Sequence, residues 1–253
     1  MDILQVHDLT KDFGGLRALY NINFKIKRGQ IKALIGPNGA GKTTLFNIIN
    51  GFLPSTHGKV FFEGEEITNL KPYIVSRKGI GRTFQTPHVF LDMSILGNIM
   101  VGFYLETKSE FIASGLKTTG TIQEERRIKK KSLEILDFLN VQEEPLSLAK
   151  NLPFAHMRLL EIGRAIATNP KFLLLDEPSA GLNASESKQL GKVFERIRDS
   201  GVTVFFVEHD MDLVMDISDE IIVLNYGEKI AEDTPSQIQR DENVVSSYLG
   251  YRK

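Results

Sequence analysis

Hydrophobic and polar residues alternate along parts of the first 85 positions, and this period of two is typical of strands with one buried face. Ile22, Phe24 and Ile26 follow this pattern. The apolar residues at 60–62 precede Gly64, which predicts another strand that ends near a turn. We therefore expect a strand-rich layer in this part of the chain.

Continuous apolar runs indicate strands that are buried on both faces. Short, mostly apolar runs of this kind occupy 31–35, 172–175 and 202–207. A helix is predicted after the first run at 42–50, and another between the last two runs at 184–198. Strands that alternate with helices favour an α/β fold with a mainly parallel sheet.

The middle of the chain has a different pattern, because its apolar residues recur at helical spacing. Ile128 and Leu136 belong to this mainly helical stretch, which runs from 94 to 167. The polar, Gly/Ser/Thr-rich segment 106–120 predicts a loop between helices. The expected organisation is one domain, 1–253, with a core at 1–86 and 169–253 and a helical subdomain at about 87–168.

The composition excludes several classes of protein. Of the 253 residues, 42% are hydrophobic and 25% are charged, as in an ordinary globular protein. The formal net charge is −1, so no strong positive field favours nucleic acid as a partner. No cysteine is present, which excludes disulfides and thiolate metal sites. No apolar run approaches the roughly 18 residues of a membrane span, and no signal peptide is expected.

A glycine-rich segment follows the strand predicted at 31–35 and opens the helix predicted at 42–50. It fits the pattern G-x-x-x-x-G-K-[ST], in which backbone N–H groups and a helix N-terminus bind a polyphosphate. Lys42 would reach the β- and γ-phosphates, and the Thr43 hydroxyl would bind Mg²⁺. The residues expected to bind nucleotide are Gly36, Pro37, Asn38, Gly39, Ala40, Gly41, Lys42, Thr43 and Thr44.

Two carboxylates follow the buried strand predicted at 172–175. In a parallel sheet they would lie at the carboxyl edge, beside the phosphate loop. Asp176 is expected to help hold Mg²⁺, and Glu177 to orient and deprotonate the attacking water as a general base. The alternative is a strand whose acidic end merely faces solvent, and the phosphate loop nearby makes this the weaker interpretation.

A phosphate loop alone leaves kinases, GTPases, helicases and transporters open, but the order of motifs here resembles the ABC ATPase family over nearly the whole chain. The matching elements, in chain order, are Phe13, the phosphate loop, Gln85, the signature region at 152–161, the acidic pair, the D-loop residues Ser179 and Asn183, and His209. No single member of this set is specific. The ordered set is what identifies the resemblance.

The resemblance implies a P-loop NTPase (RecA-like) core with a mainly parallel sheet, an antiparallel β-subdomain and an inserted α-helical subdomain. It also implies that Phe13 stacks on adenine, that Gln85 coordinates Mg²⁺ and positions water, and that His209 contacts the γ-phosphate. The implied cofactors are ATP and Mg²⁺. Two ATPase subunits would face each other head to tail, with each ATP between one subunit's phosphate loop and the other's signature helix.

The signature region departs from the family's usual Leu-Ser-Gly-Gly-Gln. The matching positions are Leu152, Pro153, Phe154, Ala155 and His156. Pro153 has no N–H to donate but suits the first position of a helix, whose following N–H groups can still point at an anion. One hypothesis is that this helix N-terminus is competent, with His156 replacing the glutamine. The other is that the subunit depends on a partner with a complete signature. We favour the first, since the hydrolytic residues are retained.

Within the family, the sequence resembles the LivG-type ATPases of branched-chain amino-acid importers. The supporting segments are 82–85, 159–165, 180–183, 207–215 and 247–250. This resemblance implies a peripheral subunit at the cytoplasmic face of the cell membrane. Its partners would be a second ATPase subunit, two integral membrane permease subunits and, indirectly, a solute-binding protein, with no nucleic acid. The alternatives are the ATPase of an exporter or lipid-transport system and a soluble non-transport ABC ATPase.

Overall fold

The computed structural model describes residues 1–85, 88–105 and 119–246. The chain forms two compact units: a core unit of residues 1–82 and those from 171 onward, and a helical unit of residues 83–170. The sequence pattern predicts the two divisions after 86 and 168, which would leave Gln85 in the core. In the structure Gln85 belongs to the helical unit. The segment 247–250 and most of the loop predicted at 106–120 lie outside the described residues.

A six-stranded sheet forms the centre of the core unit. From one edge to the other, its strands are β10 (Glu228–Asp233), β9 (Glu220–Asn225), β3 (Ile31–Ile35), β8 (Thr203–Val207), β7 (Phe172–Asp176) and β6 (Ile80–Arg82). All neighbouring pairs are parallel except β10 and β9, which are antiparallel. The predicted mainly parallel sheet is therefore confirmed, and β3, β7 and β8 form at the apolar runs that predict them.

A second sheet of the core unit is antiparallel. Its strands, in spatial order, are β2 (Leu16–Lys27), β1 (Asp2–Phe13), β4 (His57–Phe62) and β5 (Glu65–Glu66). The helix α1 (Lys42–Ile49) packs between the two sheets, since the ring of Phe46 lies 5.0 Å from that of Phe205 on β8. The Phe205 ring is also 5.7 Å from that of Phe24 on β2. These aromatic contacts join both sheets in one hydrophobic core.

Further helices complete the core unit. They are α2 (Pro72–Arg77), α6 (Ala184–Asp199), α7 (Met211–Ile217), α8 (Pro235–Ile238) and α9 (Glu242–Val244). Helix α6 packs on the parallel sheet, with the Phe194 ring 5.7 Å from the Phe206 ring. The strands β7 and β8 are thus covered on both faces, which agrees with their mostly apolar sequences.

The helical unit contains α3 (Ile95–Gly102), α4 (Thr119–Phe138) and α5 (Phe154–Ile166), with 3₁₀ turns at Phe103–Leu105 and Ala149–Asn151. Helix α5 contacts both α3 and α4. Gly163 permits this approach, because a Cβ there would lie 2.6 Å from both Ile99 Cδ1 and Leu139 Cδ1. The end of the predicted loop was wrong at residues 119 and 120, which begin α4.

Three strands of the parallel sheet are absent from the sequence-based prediction. Strand β6 has three residues, too few to show a period. Strand β9 contains an apolar run at 221–224 that precedes Tyr226-Gly227, and this run was a usable signal for a hairpin with β10. Among the described residues, no helix is both long and apolar enough to cross a membrane.

Candidate active site

The phosphate loop connects β3 to α1 as predicted, and its shape depends on glycine at its first position. Gly36 has a φ of 153°, and a Cβ there would lie 2.2 Å from the backbone oxygen of Leu224. Only a residue without a side chain fits between the loop and β9. The backbone therefore enters the loop close against the neighbouring strand.

Lys42 lies in the first turn of α1 and is buried. Its Nζ donates hydrogen bonds to the carbonyl oxygens of Gly36, at 2.7 Å, and Pro37, at 3.1 Å. Burial lowers the pKa of Lys42, and the carboxylates of Glu177 and Asp176 oppose this effect. The ammonium group is thus held inside the loop, next to the acidic end of β7.

The turn between β9 and β10 supports the phosphate loop. The N–H of Gly227 donates to the carbonyl of Ala40 at 3.1 Å, and the carbonyl of Gly227 accepts from the N–H of Tyr20 at 2.8 Å. One residue of the hairpin therefore joins the loop to β2 of the antiparallel sheet. The hairpin strands β9 and β10 that provide this support were not predicted from the sequence.

Asp176 lies at the end of β7, as predicted, and the structure shows that it is buried and forms an ion pair. Arg82 donates from Nη2 to Asp176 Oδ2 at 3.2 Å and from Nη1 to Asn47 Oδ1 at 2.8 Å. Burial raises the pKa of Asp176, whereas the guanidinium of Arg82 opposes that rise. Arg82 thereby connects the acidic strand end to α1. Arg82 lies three residues before Gln85. In the sequence it was noted only as part of the segment 82–85, with no role of its own.

Glu177 and His209 lie together, as their expected roles require. Glu177 Oε1 is 3.2 Å from His209 Nε2, within hydrogen-bonding distance. Glu177 has a φ of 47°, an unusual value for a residue with a side chain, and its N–H donates to the carbonyl of Val207 at 3.0 Å. The left-handed backbone turns the chain at the strand end, where strain of this kind is common at functional sites.

Glu208 is a buried carboxylate that the sequence analysis did not single out. Its Oε1 accepts the N–H of Ser179 at 2.6 Å, and its Oε2 accepts the N–H groups of His209 at 3.0 Å and Asp210 at 3.4 Å. A carboxylate buried to this degree needs such partners. It joins the start of the D-loop-like segment to the loop that contains His209.

The two D-loop residues have different surroundings. Ser179 is buried, and its carbonyl accepts the N–H of Leu182 at 2.9 Å in a turn. Asn183 is the N-cap of α6: its Oδ1 accepts the N–H groups of Ser185 and Glu186, and its own N–H donates to Glu186 Oε2. The capping box gives Asn183 a structural role that the sequence analysis did not consider.

Other predicted nucleotide-binding residues are exposed at the edge of the core unit. Phe13 ends β1 with 46% of its surface accessible, and Lys11 Nζ lies 4.9 Å from its ring centroid. Asn38, Gly39 and Thr43 are also exposed. Their accessibility leaves the aromatic face, the loop backbone and the hydroxyl open to a ligand.

The signature residues belong to the helical unit, and one expectation about them was wrong. Pro153 does not take the first helical position; it is the N-cap of α5, with φ −55° and ψ 152°. Proline fixes φ alone, and the extended ψ keeps it outside the helix. The first intrahelical bond runs from Met157 N–H to the Pro153 carbonyl, so the N–H groups of residues 154–156 precede the ladder. The His156 side chain bonds through Nδ1 to Glu143.

Within the helical unit, α5 also holds the backbone around Gln85. Arg158 donates from Nη1 to the carbonyl of Phe84 at 2.9 Å and from Nη2 to the carbonyl of Gln85 at 2.7 Å. Glu161 Oε1 accepts the N–H of Phe84 at 3.2 Å, and its Oε2 lies 3.3 Å from Arg158 Nη1. Neither Arg158 nor Glu161 was identified from the sequence, because nothing local shows that they are buried.

The core unit therefore brings together a buried lysine in a phosphate loop, an acidic strand end and a carboxylate–imidazole pair. The loop can bind a polyphosphate with backbone N–H groups and an ammonium, and the pair can accept a proton from water. Together with the parallel sheet, these features define a P-loop nucleoside triphosphatase.

A family model described as ABC transporter matches residues 19–180, and one described as branched-chain amino acid ATP-binding cassette transporter matches residues 228–252. The chain belongs to the ABC transporter ATP-binding family. It is an ATP-binding ATPase subunit of a transporter.

Relatives of known name match the chain along its whole length. The high-affinity branched-chain amino acid transport ATP-binding protein BraF of Pseudomonas aeruginosa is 41% identical over 249 residues, which is 98% of each chain. LivG of Escherichia coli K12, with the same description, is 37% identical over 249 residues, again 98% of each. The crystal structure of the ADP conformation of MJ1267, an ATP-binding cassette of an ABC transporter, has a TM-score of 0.85 at 33% identity, over 99% of each chain.

Proposed function

We propose that this chain hydrolyses ATP at the cytoplasmic face of the cell membrane to power the import of branched-chain amino acids. The resemblance to BraF and LivG supports this solute, since it extends over 98% of each protein. The arrangement of Glu177 and His209, 3.2 Å apart beside the phosphate loop, is the observation that supports hydrolysis most directly.

ATP binds with its adenine on the exposed face of Phe13 and its phosphates in the loop 36–44. The stacking contributes roughly 1–3 kcal/mol, as for other bases on aromatic side chains. Lys42 presents its ammonium to the β- and γ-phosphates, exchanging its hydrogen bonds to loop carbonyls for bonds to the nucleotide. The backbone N–H groups at the start of α1 add favourable partial charge.

Glu177 acts as the general base on the attacking water. Its carboxylate lies at the end of β7, and His209 holds it from the end of β8 through the 3.2 Å contact. His209 in turn contacts the γ-phosphate and the water. Positioned proton transfer of this kind contributes typically 10²–10⁴-fold in rate.

The residues Thr43, Gln85 and Asp176 supply a hydroxyl, an amide oxygen and a carboxylate, and this donor set suits Mg²⁺. Mg²⁺ is generally bound by one or two carboxylates together with substrate phosphates, and Asp176 is such a carboxylate. When bound, the ion neutralises charge that develops on the phosphates. The hydrogen bond from Arg82 fixes the position of the Asp176 carboxylate, which would hold Mg²⁺.

A second ATPase subunit, identical or different, completes the nucleotide site with its signature helix. The contact between His156 and Glu143 bears on the two hypotheses about this signature. It orients the imidazole within its own helical unit and leaves the N–H groups at the start of α5 as the anion-binding element. The chain also works with two membrane permease subunits and, through them, with a solute-binding protein.

The mass in solution of Glu177→Gln, with and without Mg-ATP, tests the hydrolytic mechanism. Removing the base traps ATP, so light scattering after size exclusion is expected to show conversion of monomer to dimer. The double variant Glu177→Gln/Lys42→Ala is the control, because it cannot hold the nucleotide. A variant that binds ATP but stays monomeric would show that this signature needs a different partner. Greatly increased dimerisation and turnover in Pro153→Ser would contradict the competence of the present signature.

Uptake of labelled leucine, isoleucine and valine tests the proposed solute. Cells in which Glu177→Gln replaces the wild-type chain are expected to lose this uptake, while uptake of an unrelated sugar is unchanged. Retained branched-chain uptake with loss of another solute, such as an amide or urea, would reassign the transporter.

A further inference from the structure

Helix α5 holds the chain segment around Gln85 with charged side chains that are themselves buried. Arg158 is 1% exposed and Glu161 is 2% exposed. Burying charged groups costs desolvation free energy unless their hydrogen bonds are satisfied, so this pair needs hydrogen-bond partners in the folded protein. Its bonds include those to the backbone of Phe84 and Gln85.

The bonds leave little freedom to the Gln85 backbone. The two Nη atoms of Arg158 bind consecutive carbonyls, at 2.9 Å for Phe84 and 2.7 Å for Gln85, in the fork geometry of a guanidinium. Glu161 binds the same segment by accepting the N–H of Phe84. Arg164, one turn further along α5, donates to the carbonyl of His88. The helix thus contacts the segment on both sides of residues 86–87.

Arg158 is also close to the beginning of the helix. It lies one turn after Phe154, and its guanidinium carbon is 5.8 Å from the centroid of that ring. The Arg158 side chain therefore connects the first turn of α5 to the backbone of Gln85. The same helix start is the element that faces the partner's nucleotide in the proposed function.

We propose that Arg158 and Glu161 are positioning residues for Gln85, through which helix α5 sets the place of the side chain that binds Mg²⁺ and the attacking water. This rests on the proposed function of Gln85. Loading of the partner's nucleotide at the start of α5 is thereby coupled to the metal and water ligand of the helix's own subunit. Both residues bind the backbone of the segment that contains Gln85, so their effect passes through Gln85.

A double-mutant cycle on the full chain tests the coupling. The variants are Gln85→Ala, Arg158→Gln and the two combined, with Arg126→Gln on the exposed side of α4 as a matched control. The apparent KM for Mg²⁺ and kcat are measured at saturating ATP. Arg158→Gln is expected to raise the KM for Mg²⁺ about tenfold, as is usual when a residue that supports a metal ligand is lost. The double variant is expected to be no worse than Gln85→Ala, because both changes remove the same interaction.

The outcomes separate this proposal from the role of Gln85 itself. An unchanged KM for Mg²⁺ in Gln85→Ala would overturn the proposed role of Gln85. If Gln85→Ala raises the KM for Mg²⁺ and the double variant shows the product of the two single effects, the positioning role alone would be overturned. Binding of a fluorescent ATP analogue without Mg²⁺ is expected to be unchanged in all variants, which a general loss of folding would not allow.

Conservative variants keep the test decisive if Arg158→Gln fails to fold. Arg158→Lys keeps the charge next to Glu161 but can reach only one of the two carbonyls, so an intermediate KM for Mg²⁺ is expected. Glu161→Gln keeps an oxygen for the Phe84 N–H and removes the charge. If both variants fold and bind Mg²⁺ as the wild type does, the positioning role is wrong.

Discussion

The backbone N–H of Ser179 donates to Oε1 of Glu208 at 2.6 Å, 29 residues apart in sequence. The other carboxylate oxygen accepts the N–H groups of His209 and Asp210. One buried side chain therefore fixes the D-loop-like segment and the histidine loop relative to each other. Movement of either loop is transmitted to the other through this carboxylate.

Glu208→Ala is expected to lower the free energy of unfolding by about 2–3 kcal/mol, because it leaves buried N–H donors without an acceptor. It should also lower kcat about tenfold to a hundredfold through misplacement of His209. Urea unfolding followed by circular dichroism and steady-state ATPase assays measure the two effects. Glu208→Gln should be intermediate, and Glu228→Gln on the exposed face of β10 should change neither quantity. A stable, fully active Glu208→Ala would refute the link.

Arg82 and Asp176 form a buried pair whose members depend on each other. Their side chains are 5% and 6% exposed. Arg82→Met should cost about 3–5 kcal/mol of stability, since it leaves the Asp176 carboxylate buried without this partner. Combined with Asp176→Asn, it should cost clearly less than the sum of the single changes. Chemical denaturation of the four proteins gives the coupling free energy, and simple additivity would contradict the pair.

The close approach of Gly36 to β9 makes any side chain at this position unfavourable. For Gly36→Ala we expect a loss of stability of about 2 kcal/mol or more, together with loss of ATP binding, because the loop must move away from Leu224. Gly15→Ala is the control, since a Cβ there meets nothing within 4 Å. Urea unfolding and titration with a fluorescent ATP analogue are the measurements. Normal nucleotide affinity in Gly36→Ala would show that the loop does not need this contact.

Stability at acid pH should depend on Glu220. Burial raises the pKa of Glu220, but hydrogen bonds from Lys32 and Gln30 outweigh this and lower the pKa from 4.5 to about 2. The buried Lys32 donates to Glu220 at 2.9 Å and to Glu232 at 2.5 Å. Because the pKa is lower in the folded state, the stabilisation is complete above pH 4.5 and is lost as the pH falls towards about 2.

The comparison of wild type with Glu220→Gln measures this dependence. At neutral pH the variant should be less stable by about 1–3 kcal/mol, the usual cost of removing one partner of a buried donor. The difference should shrink between pH 4.5 and about 2, where Glu220 becomes protonated in the wild type. Glu228→Gln, on the exposed face of β10, is the control. A difference that persists unchanged at low pH would contradict the ionised state of Glu220.

The elements that the sequence predicts well are those whose signal is local. Strands β3, β7 and β8 are short, mostly apolar runs, and the phosphate loop has its chemistry in nine consecutive residues, 36–44. Lys42, Asp176, Glu177 and His209 could therefore be placed before the fold was known. Their neighbourhood in space follows from the common edge at which parallel strands end.

The residues that the sequence does not predict have distant partners. Arg82 meets Asp176 across 94 positions, and Arg158 meets Gln85 across 73. Nothing in the neighbouring sequence shows that a charged residue has such a partner, so the pattern of polar and apolar residues predicts that it is exposed. The error at Pro153 has a different cause: proline restricts φ, while the chain entering α5 decides ψ.

The support of the phosphate loop by Gly227 has a consequence for the synthesis of the protein. Strand β3 pairs with β8 and β9, and the loop itself bonds to the turn that follows β9, so all of these neighbours lie at residue 203 or later in the sequence. A nascent chain that has exposed only its N-terminal half contains every residue of the motif but lacks the strands and the turn that support the loop. We therefore expect a product truncated before β9 to lack a supported phosphate loop and to bind ATP more weakly than the finished subunit.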